Sequence, residues 1–176
     1  MTDKHILVAY GTQNGGTAGI AEEIAATLEK DGMLAEARPA ADVTDVTAYD
    51  AVVLGGGLYA GRWHRDARRF ARRLKVRLRE RPVWCFSSGP LDATATQKEI
   101  PPTRAVQRDM SRIGARGHAT FGGRLDPDPQ GWLARSMAKR GMAHDWRDFE
   151  QIIGWAHDIA AELHQQPGAR EADERK

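Results

Sequence analysis

The stretch ILVAYGTQNGGTAGIAEEI (Ile6–Ile24) decides the fold, because an apolar run passes through a polar, glycine-rich turn into a helical pattern. The apolar run is typical of a buried strand. After the turn, Ile20, Ile24 and Leu28 recur every four residues, as they would on one face of a helix. Gly32 follows as a helix stop signal. The stretch therefore predicts a strand, a polar turn and a helix in succession.

The rest of the chain repeats this alternation of short strands and helical patterns. Further helical stripes contain Phe70, Val106 and Phe149. Because such alternation places helices on both faces of a parallel sheet, it predicts an α/β fold. Ligands of these sheets bind beyond the carboxyl ends of the strands. The predicted strands are His5–Tyr10, Leu34–Arg38, Ala51–Leu54, Pro82–Phe86 and His118–Phe121.

Composition indicates one soluble globular domain, since 41% of the 176 residues are hydrophobic and 28% are charged. No apolar run approaches the roughly 18 residues that span a bilayer, and the start has no signal peptide pattern. A cytoplasmic protein is therefore expected, with residues 1–164 as the domain and the polar tail 165–176 as a disordered segment. The single cysteine, Cys85, excludes an internal disulfide and a multi-cysteine metal site, and no metal site is predicted.

Four segments with glycine or hydroxyl residues follow predicted strands: GTQNGGT (11–17), GGGLYAGRW (55–63), SSGPLD (87–92) and GGRLD (122–126). The first resembles a phosphate cradle, because hydroxyls, amides and a helix start suffice to hold an anion. It is neither a Walker A loop nor a dinucleotide fingerprint, since G-K-[ST] and G-x-G-x-x-G are both absent from it. A tight strand-to-helix turn without a ligand is the alternative.

The segment TQNGGT (12–17) resembles the T-x-[TN]-G-x-T phosphate loop of flavodoxins. The segments 55–73, 121–127 and 145–160 resemble, more narrowly, the flavodoxin-type, menaquinone-dependent protoporphyrinogen oxidases and their relatives. This resemblance implies a three-layer sandwich whose five-stranded parallel sheet has the order 2-1-3-4-5. It also implies that flavin mononucleotide (FMN) is the cofactor.

The resemblance places the FMN phosphate on residues 12–17 and the isoalloxazine ring between the loops 56–63 and 87–92. Tyr59 and Trp63 are the candidates to stack on the ring, and the alternative for either is a packed loop residue. The loop SSGPLD has no aromatic residue, unlike that of many carrier flavodoxins, which leaves one face of the flavin to Leu91 or to residues near Arg124. The implied cofactor-binding residues are Thr12, Gln13, Asn14, Gly15, Gly16, Thr17, Gly57, Leu58, Tyr59, Ala60, Gly61, Trp63, Ser87, Ser88, Gly89, Leu91 and Asp92.

Three functions follow from the resemblance. The first is an oxidoreductase that passes electrons from a bulky small-molecule substrate through FMN to a quinone. The second is an electron-transfer flavodoxin that docks to protein redox partners, and the third is a flavodoxin fold with lost or regulatory cofactor use. His64 is a candidate proton shuttle, with a helix cap as the alternative, and Arg124 and Asp126 are candidate substrate contacts.

Positive charge is concentrated between Arg62 and Arg81, where ten arginines and lysines face only two acidic residues. The helix Arg65–Arg79 could dock an anionic membrane, porphyrin carboxylates or an acidic partner, and a solvated face is the alternative. No base-reading motif suggests nucleic acid. The segment Pro127–His144 spans only 18 residues, shorter than the corresponding insertion of the quinone-dependent oxidases, which weighs against porphyrin activity. It predicts a short helix or a cap over the site.

Overall fold

The computed structural model describes residues 3–13, 15–89, 99–125, 132–142 and 144–166. The strands in these ranges are β1 (His5–Gly11), β2 (Leu34–Pro39), β3 (Ala51–Tyr59), β4 (Arg62–Trp63), β5 (Val83–Ser88), β6 (Gly117–Phe121), β7 (Arg124–Leu125) and β8 (His144–Asp145). The helices are α1 (Gly16–Lys30), α2 (Arg65–Arg73), α3 (Lys75–Arg79), α4 (Arg104–Ile113), α5 (Trp132–Met137) and α6 (Phe149–His164). A 3-10 turn covers Ala40–Asp42 and a π-helical turn covers Ala138–Met142.

The central sheet has the strand order β2-β1-β3-β5-β6, and all of these strands are parallel. This confirms the predicted order 2-1-3-4-5, in which the two-residue strand β4 is not counted. The chain order reverses between β1 and β3. Because parallel sheets bind ligands outside such a switch point, the carboxyl ends of β1 and β3 mark the expected site.

Two cores cover the two faces of the sheet, which confirms the predicted three-layer arrangement. Ile6 and Val8 pack with the buried residues of α1 and α6, whereas Leu7 and Ala9 pack with those of α2 and α4. Successive side chains of a strand point to opposite faces, so a strand buried on both sides must be apolar at every position. The uninterrupted run at the start of β1 satisfies this requirement.

The glycine run that follows Leu54 belongs to β3, and its prediction as a loop was wrong. The strand continues to Tyr59 and turns at Ala60 and Gly61, whose φ angles are 50° and 73°, to pair antiparallel with β4. The rings of Phe86 and Trp63 occupy the space that side chains at Gly55 and Gly56 would need. A Cβ at Gly55 would lie 2.0 Å from Cζ of Phe86. The run thus serves packing as well as any ligand.

The arginine-rich segment forms two helices rather than the single predicted helix. They meet at Leu74, where ψ is 15° and the α-helical geometry is interrupted although the hydrogen bond from Leu74 N to Phe70 O is kept. Phe70, Leu74 and Leu78 are buried in one core, as their spacing predicts. Their burial leaves a basic face exposed, defined here by Arg65, Arg69, Arg72, Arg73 and Lys75.

The segment after the central sheet forms a hairpin between β7 and β8 that encloses the short helix α5. This agrees with the short helix expected from the sequence. Trp132 at its start is 81% exposed. At the end of α6, Gln166 accepts a hydrogen bond from Arg116, and the remainder of the predicted disordered tail lies outside the described residues. Across the described ranges, no helix is long and apolar enough to cross a membrane.

Candidate functional site

The first two predicted loops meet at the carboxyl ends of β1 and β3. The backbone amide of Gln13 donates a hydrogen bond to the Tyr59 hydroxyl at 3.1 Å, and the Gly15 amide donates to Oγ1 of Thr12 at 3.1 Å. A Cβ at Gly57 would lie 3.2 Å from Oγ1 of Thr17 and 3.1 Å from the Tyr59 hydroxyl. The absence of a side chain at Gly57 therefore keeps space between these two hydroxyls.

The start of α1 differs from those of the other long helices. Side chains of His64, Thr103 and Asp148 cap α2, α4 and α6, each by accepting a backbone N–H bond. In contrast, α1 begins after Gly15, whose φ is 81°, and has no side-chain cap. Uncapped amides at a helix start, with the positive end of the helix dipole, form an anion site.

Thr17 adds a hydroxyl to this helix start. The residue as a whole is only 2% exposed, but its hydroxyl oxygen is not one of the fully enclosed side-chain atoms that lack a hydrogen-bond partner in the described ranges. A ligand oxygen at the uncapped amides would lie beside this hydroxyl.

Trp63 does not occupy the position that the resemblance implied. The side chain is 1% exposed and packs over Gly56, so neither ring face is open to a ligand. Its indole Nε1 donates a hydrogen bond to Oγ of Ser87 at 3.0 Å, and Oγ of Ser87 lies 2.9 Å from Nε2 of His118. The burial of Trp63 therefore contradicts its predicted stacking on the flavin. The hydroxyl of Ser87 is likewise engaged by protein side chains and does not face a ligand. Both form a buried network that attaches the β3–β4 hairpin to β5 and β6.

Burial of the His118 ring lowers its pKa to about 4. Ser87 Oγ accepts a hydrogen bond from Trp63 and forms a second one with Nε2 of the neutral ring, whose tautomer sets which of the two atoms donates. In the unfolded chain the ring takes up a proton below its ordinary pKa of 6.5, whereas in the folded protein it does so only near pH 4. The folded state therefore becomes less stable relative to the unfolded state as the pH falls from 6.5 to 4. The stability contribution of neutral His118 is complete above pH 6.5 and is lost as the pH falls toward 4.

We expect the wild-type protein to lose more free energy of unfolding than His118→Gln when the pH is lowered from 6.5 to 4.5. The expected difference is about 1 kcal/mol, roughly half of what the full pKa shift would give, because the ring is partly exposed. Urea denaturation at both pH values measures it, and comparison with the variant cancels the titration of the carboxylates. Equal losses in the two proteins would show that His118 titrates normally in the folded state.

Tyr59 and His64 lie together at the edge of the site. Tyr59 is 37% exposed, and its ring meets the His64 ring edge-on with centroids 5.8 Å apart. Nδ1 of His64 accepts the Asp66 amide hydrogen at 3.3 Å, so His64 is the cap of α2. Burial lowers the pKa of His64, and the nearby Asp66 carboxylate opposes that effect. His64 as a proton shuttle stays a prediction.

The third loop approaches the second from the side of β5. A Cβ at Gly89, where φ is 124°, would lie 3.7 Å from Cβ of Leu58, and Ser88 is buried beside them. The Gly89 amide donates to the carbonyl of Phe121 at 2.9 Å, which fixes the end of β5 against β6. The predicted site residues Asn14, Leu91, Asp92 and Asp126 lie outside the described residues.

The glycines after β6 have a packing role that the sequence did not reveal. A Cβ at Gly122 would lie 2.0 Å from the Trp146 carbonyl oxygen, and the Trp146 amide donates to the Gly123 carbonyl at 2.9 Å. These contacts hold the β7–β8 hairpin close to the end of the central sheet. The hairpin in turn brings Arg124 to α1, since a Cβ at Gly16 would lie 3.1 Å from Cβ of Arg124.

Comparison with known proteins agrees with this geometry. A family model described as Flavodoxin domain matches residues 7–150. The chain belongs to this flavodoxin family. Protoporphyrinogen IX dehydrogenase (quinone) of Escherichia coli (strain K12) is 27% identical over 170 residues, which cover 88% of this chain and 93% of the relative.

Solved flavodoxin structures share the fold. A flavodoxin from the domain Archaea is 12% identical, with a TM-score of 0.61 and coverage of 91% of this chain and 99% of that one. The rubredoxin oxygen:oxidoreductase of Desulfovibrio gigas is 11% identical, with a TM-score of 0.62 over 92% of this chain. The present chain spans 36% of that longer protein. Membership of the flavodoxin family implies a flavin cofactor and redox chemistry.

The residues at the carboxyl ends of β1 and β3 fit the phosphate end of a flavin. The α1 amides lack a side-chain cap, Thr17 adds a hydroxyl next to them, and Gly57 leaves space in front of that hydroxyl. Thr12 already holds the turn through the Gly15 amide. These donors are neutral, as expected for a phosphate that is bound and not transferred. The flavodoxin site is thus consistent with the geometry at this edge of the sheet.

Proposed function

We propose that this flavodoxin binds FMN, with the phosphate at the start of α1. The observation that carries the proposal is the start of α1, where the amides have no side-chain cap and the Thr17 hydroxyl faces the space left by Gly57. Thr12 would shape the turn and contribute a hydroxyl, and the backbone of Gln13, Asn14, Gly15 and Gly16 would surround the phosphate. When bound, FMN would supply the electron-transfer chemistry, and the protein would provide binding, orientation and tuning.

The proposed ring site lies between the second and third loops. Tyr59 is the aromatic residue with an exposed ring there, and the backbone of Ser88 and Gly89 lies next to Leu58. Tyr59 contacts the phosphate loop through its hydroxyl, so one side chain would link the two ends of the flavin site. The other proposed flavin-binding residues rest on the family resemblance alone; they are Gly57, Ala60, Gly61, Leu91 and Asp92.

For the reaction, we propose an oxidoreductase that takes electrons from a reduced small molecule and delivers them to a quinone. Support comes from the Escherichia coli relative, whose name describes such a reaction and of which this chain covers 93%. A carrier flavodoxin that passes electrons to a protein partner is the second candidate, supported by the likeness to solved flavodoxins. A fold that has lost its cofactor is the third.

The basic face of α2 and α3 favours an anionic docking surface. Arg65, Arg69, Arg72, Arg73 and Lys75 are exposed, and Val76 beside them is 61% exposed. Cations together with an apolar side chain suit the surface of an anionic membrane, where quinones reside. We therefore propose peripheral docking of a cytoplasmic protein through this face. Attraction of this kind weakens as salt is added.

Purified protein is expected to be yellow or to bind added FMN with a dissociation constant of about 1 μM or lower, which corresponds to about −8 kcal/mol. Quenching of flavin fluorescence on titration measures it. A colourless protein that leaves the fluorescence of FMN unchanged would contradict the proposal and favour the lost-cofactor alternative.

The flavin-loaded protein then separates the two redox functions. Quinone reduction with protoporphyrinogen as donor, measured with anionic vesicles at low and high salt, supports the oxidoreductase and its docking face if turnover occurs and falls with salt. Absence of turnover, together with rapid reduction by a flavodoxin reductase, would support the carrier function.

A further inference from the structure

The turn of the β3–β4 hairpin is bonded to Thr103, which lies 42 residues beyond Gly61 in the chain. Oγ1 of Thr103 donates a hydrogen bond to the Gly61 carbonyl at 2.7 Å. The same oxygen accepts the amide hydrogen of Val106 at 3.2 Å, because Thr103 is the N-cap of α4. One hydroxyl thus serves as donor to the hairpin and as acceptor from the helix.

A second hydrogen bond attaches the base of the hairpin to β5. The indole Nε1 of Trp63 donates to Oγ of Ser87 at 3.0 Å. Ser87 lies at the end of β5, and Thr103 lies directly before α4, the next described helix along the chain. The hairpin that carries the second loop is therefore joined at two points to the elements on either side of the third loop.

The two hydrogen bonds lie in different environments. Trp63 is 1% exposed, so packing as well as its hydrogen bond holds the base of the hairpin. The tip of the hairpin, defined here as residues 59–62, is exposed at every position. Because an exposed turn has little packing, its order depends on its hydrogen bonds, and the bond from Thr103 reaches it from another element. Loss of the Thr103 hydroxyl would therefore loosen the tip without removing a core side chain.

The tip contains the aromatic side chain whose position matters most to the proposed ring site. The Tyr59 hydroxyl already accepts the amide hydrogen of Gln13 in the first loop. Tyr59 pairs with Arg62 across the turn, next to the Gly61 carbonyl that Thr103 holds. A binding loop that is ordered before its ligand arrives loses less conformational entropy on binding. A fixed Gly61 carbonyl therefore favours flavin binding through the position of Tyr59.

We propose that Thr103 is a positioning residue, which holds the tip of the β3–β4 hairpin in the conformation that receives the flavin ring. The inference rests on the proposed FMN site and adds to it a residue that lies outside the predicted flavin loops. Thr103 acts through the Gly61 carbonyl and not on the flavin itself, so it has no part in the redox step. Its second bond, to the Val106 amide, fixes the hydroxyl for this purpose.

Two substitutions of nearly equal size separate this role from helix capping. Asparagine and aspartate are both preferred N-caps, so Thr103→Asn and Thr103→Asp should each keep α4. The asparagine amide can also donate to the Gly61 carbonyl, whereas an ionised carboxylate only accepts. At neutral pH we expect Thr103→Asp to bind FMN about fivefold more weakly than Thr103→Asn, as measured by titration of flavin fluorescence. Thr103→Asn and Thr103→Ser should stay within about twofold of the wild type, since both keep a donor and an acceptor.

Gln107→Glu controls for the negative charge that Thr103→Asp adds. Gln107 is exposed, lies one turn further along α4, and donates its amide hydrogen to the Thr103 carbonyl. The FMN affinity of this variant is expected to change by less than about twofold, because salt screens an exposed charge. Circular dichroism checks that each variant is folded.

Two results would overturn the inference. One is equal FMN affinity of Thr103→Asn and Thr103→Asp, which would show that the donated hydrogen bond is irrelevant to binding. The other is an equal loss of affinity in Gln107→Glu and Thr103→Asp, which would assign the effect to charge. A wild-type protein that binds no FMN would instead overturn the proposed function itself.

Discussion

The double variant Thr12→Ala/Thr17→Ala is expected to bind FMN about 150-fold to 25,000-fold more weakly than the wild type, since each lost charge-assisted hydrogen bond costs about 1.5–3 kcal/mol. Thr12 would lose both its contact with the phosphate and its hold on the Gly15 amide. Thr17 would lose the only buried hydroxyl at the helix start among the described residues. Titration of flavin fluorescence measures the change, with riboflavin as the ligand that lacks the phosphate.

Thr27 provides the matched control for this experiment. It lies on the same helix, it is also buried, and it is near the opposite end, away from the proposed phosphate position. Thr27→Ala is therefore expected to change stability without changing the ratio of FMN to riboflavin affinity. If the double variant kept wild-type FMN affinity, the phosphate would have to bind elsewhere and the cradle would be only a strand-to-helix turn.

The variant Trp63→Ala is expected to lower the free energy of unfolding by about 3–5 kcal/mol, the usual cost of deleting a buried aromatic side chain. Trp63 is 1% exposed, and its ring lies against Gly56. The deletion would also remove the hydrogen bond from the indole Nε1 to Oγ of Ser87, which belongs to the network that reaches His118. Urea denaturation at pH 7.5, where His118 is neutral, measures the loss.

Trp132 offers a control with the same residue type in the opposite environment. Because it is 81% exposed, Trp132→Ala is expected to change stability by no more than about 0.5 kcal/mol. Trp63→Phe should fall between the two, since a ring remains but its hydrogen bond is lost. Equal stability of the Trp63→Ala and Trp132→Ala variants would contradict the packing described for the β3–β4 hairpin.

The glycine run shows how one sequence feature can have two purposes. From the sequence, the segment 55–63 was one of four glycine- or hydroxyl-containing segments that follow predicted strands, and Gly57 was the one of its first three glycines expected to bind the cofactor. In the structure, Gly55 and Gly56 accommodate the rings of Phe86 and Trp63, and Gly57 alone of the three faces Thr17 and Tyr59. Period and composition cannot separate these cases, because both require only the absence of a side chain. The neighbour that occupies the space decides between them.

The sequence by itself determined the order of strands and helices, the α/β class and the position of the first turn. These depend on apolar periodicity and turn chemistry, which act between near neighbours along the chain. The sequence also predicted that the segment 12–17 is an anion site, because a helix start and its hydroxyls are local features. That assignment stays a prediction until a flavin is shown to bind.

Only the tertiary structure decided which distant side chains meet at the ends of β1 and β3. It buried Trp63 against Gly56, joined Ser87 to His118 and placed Arg147 on Gly16 and Gly19. No local pattern predicts these contacts, since they depend on how the hairpins pack against the sheet and on the space that each glycine leaves. The segment 11–17 has no cation in its sequence, and folding brings the guanidinium of Arg147 to its Gly16 carbonyl.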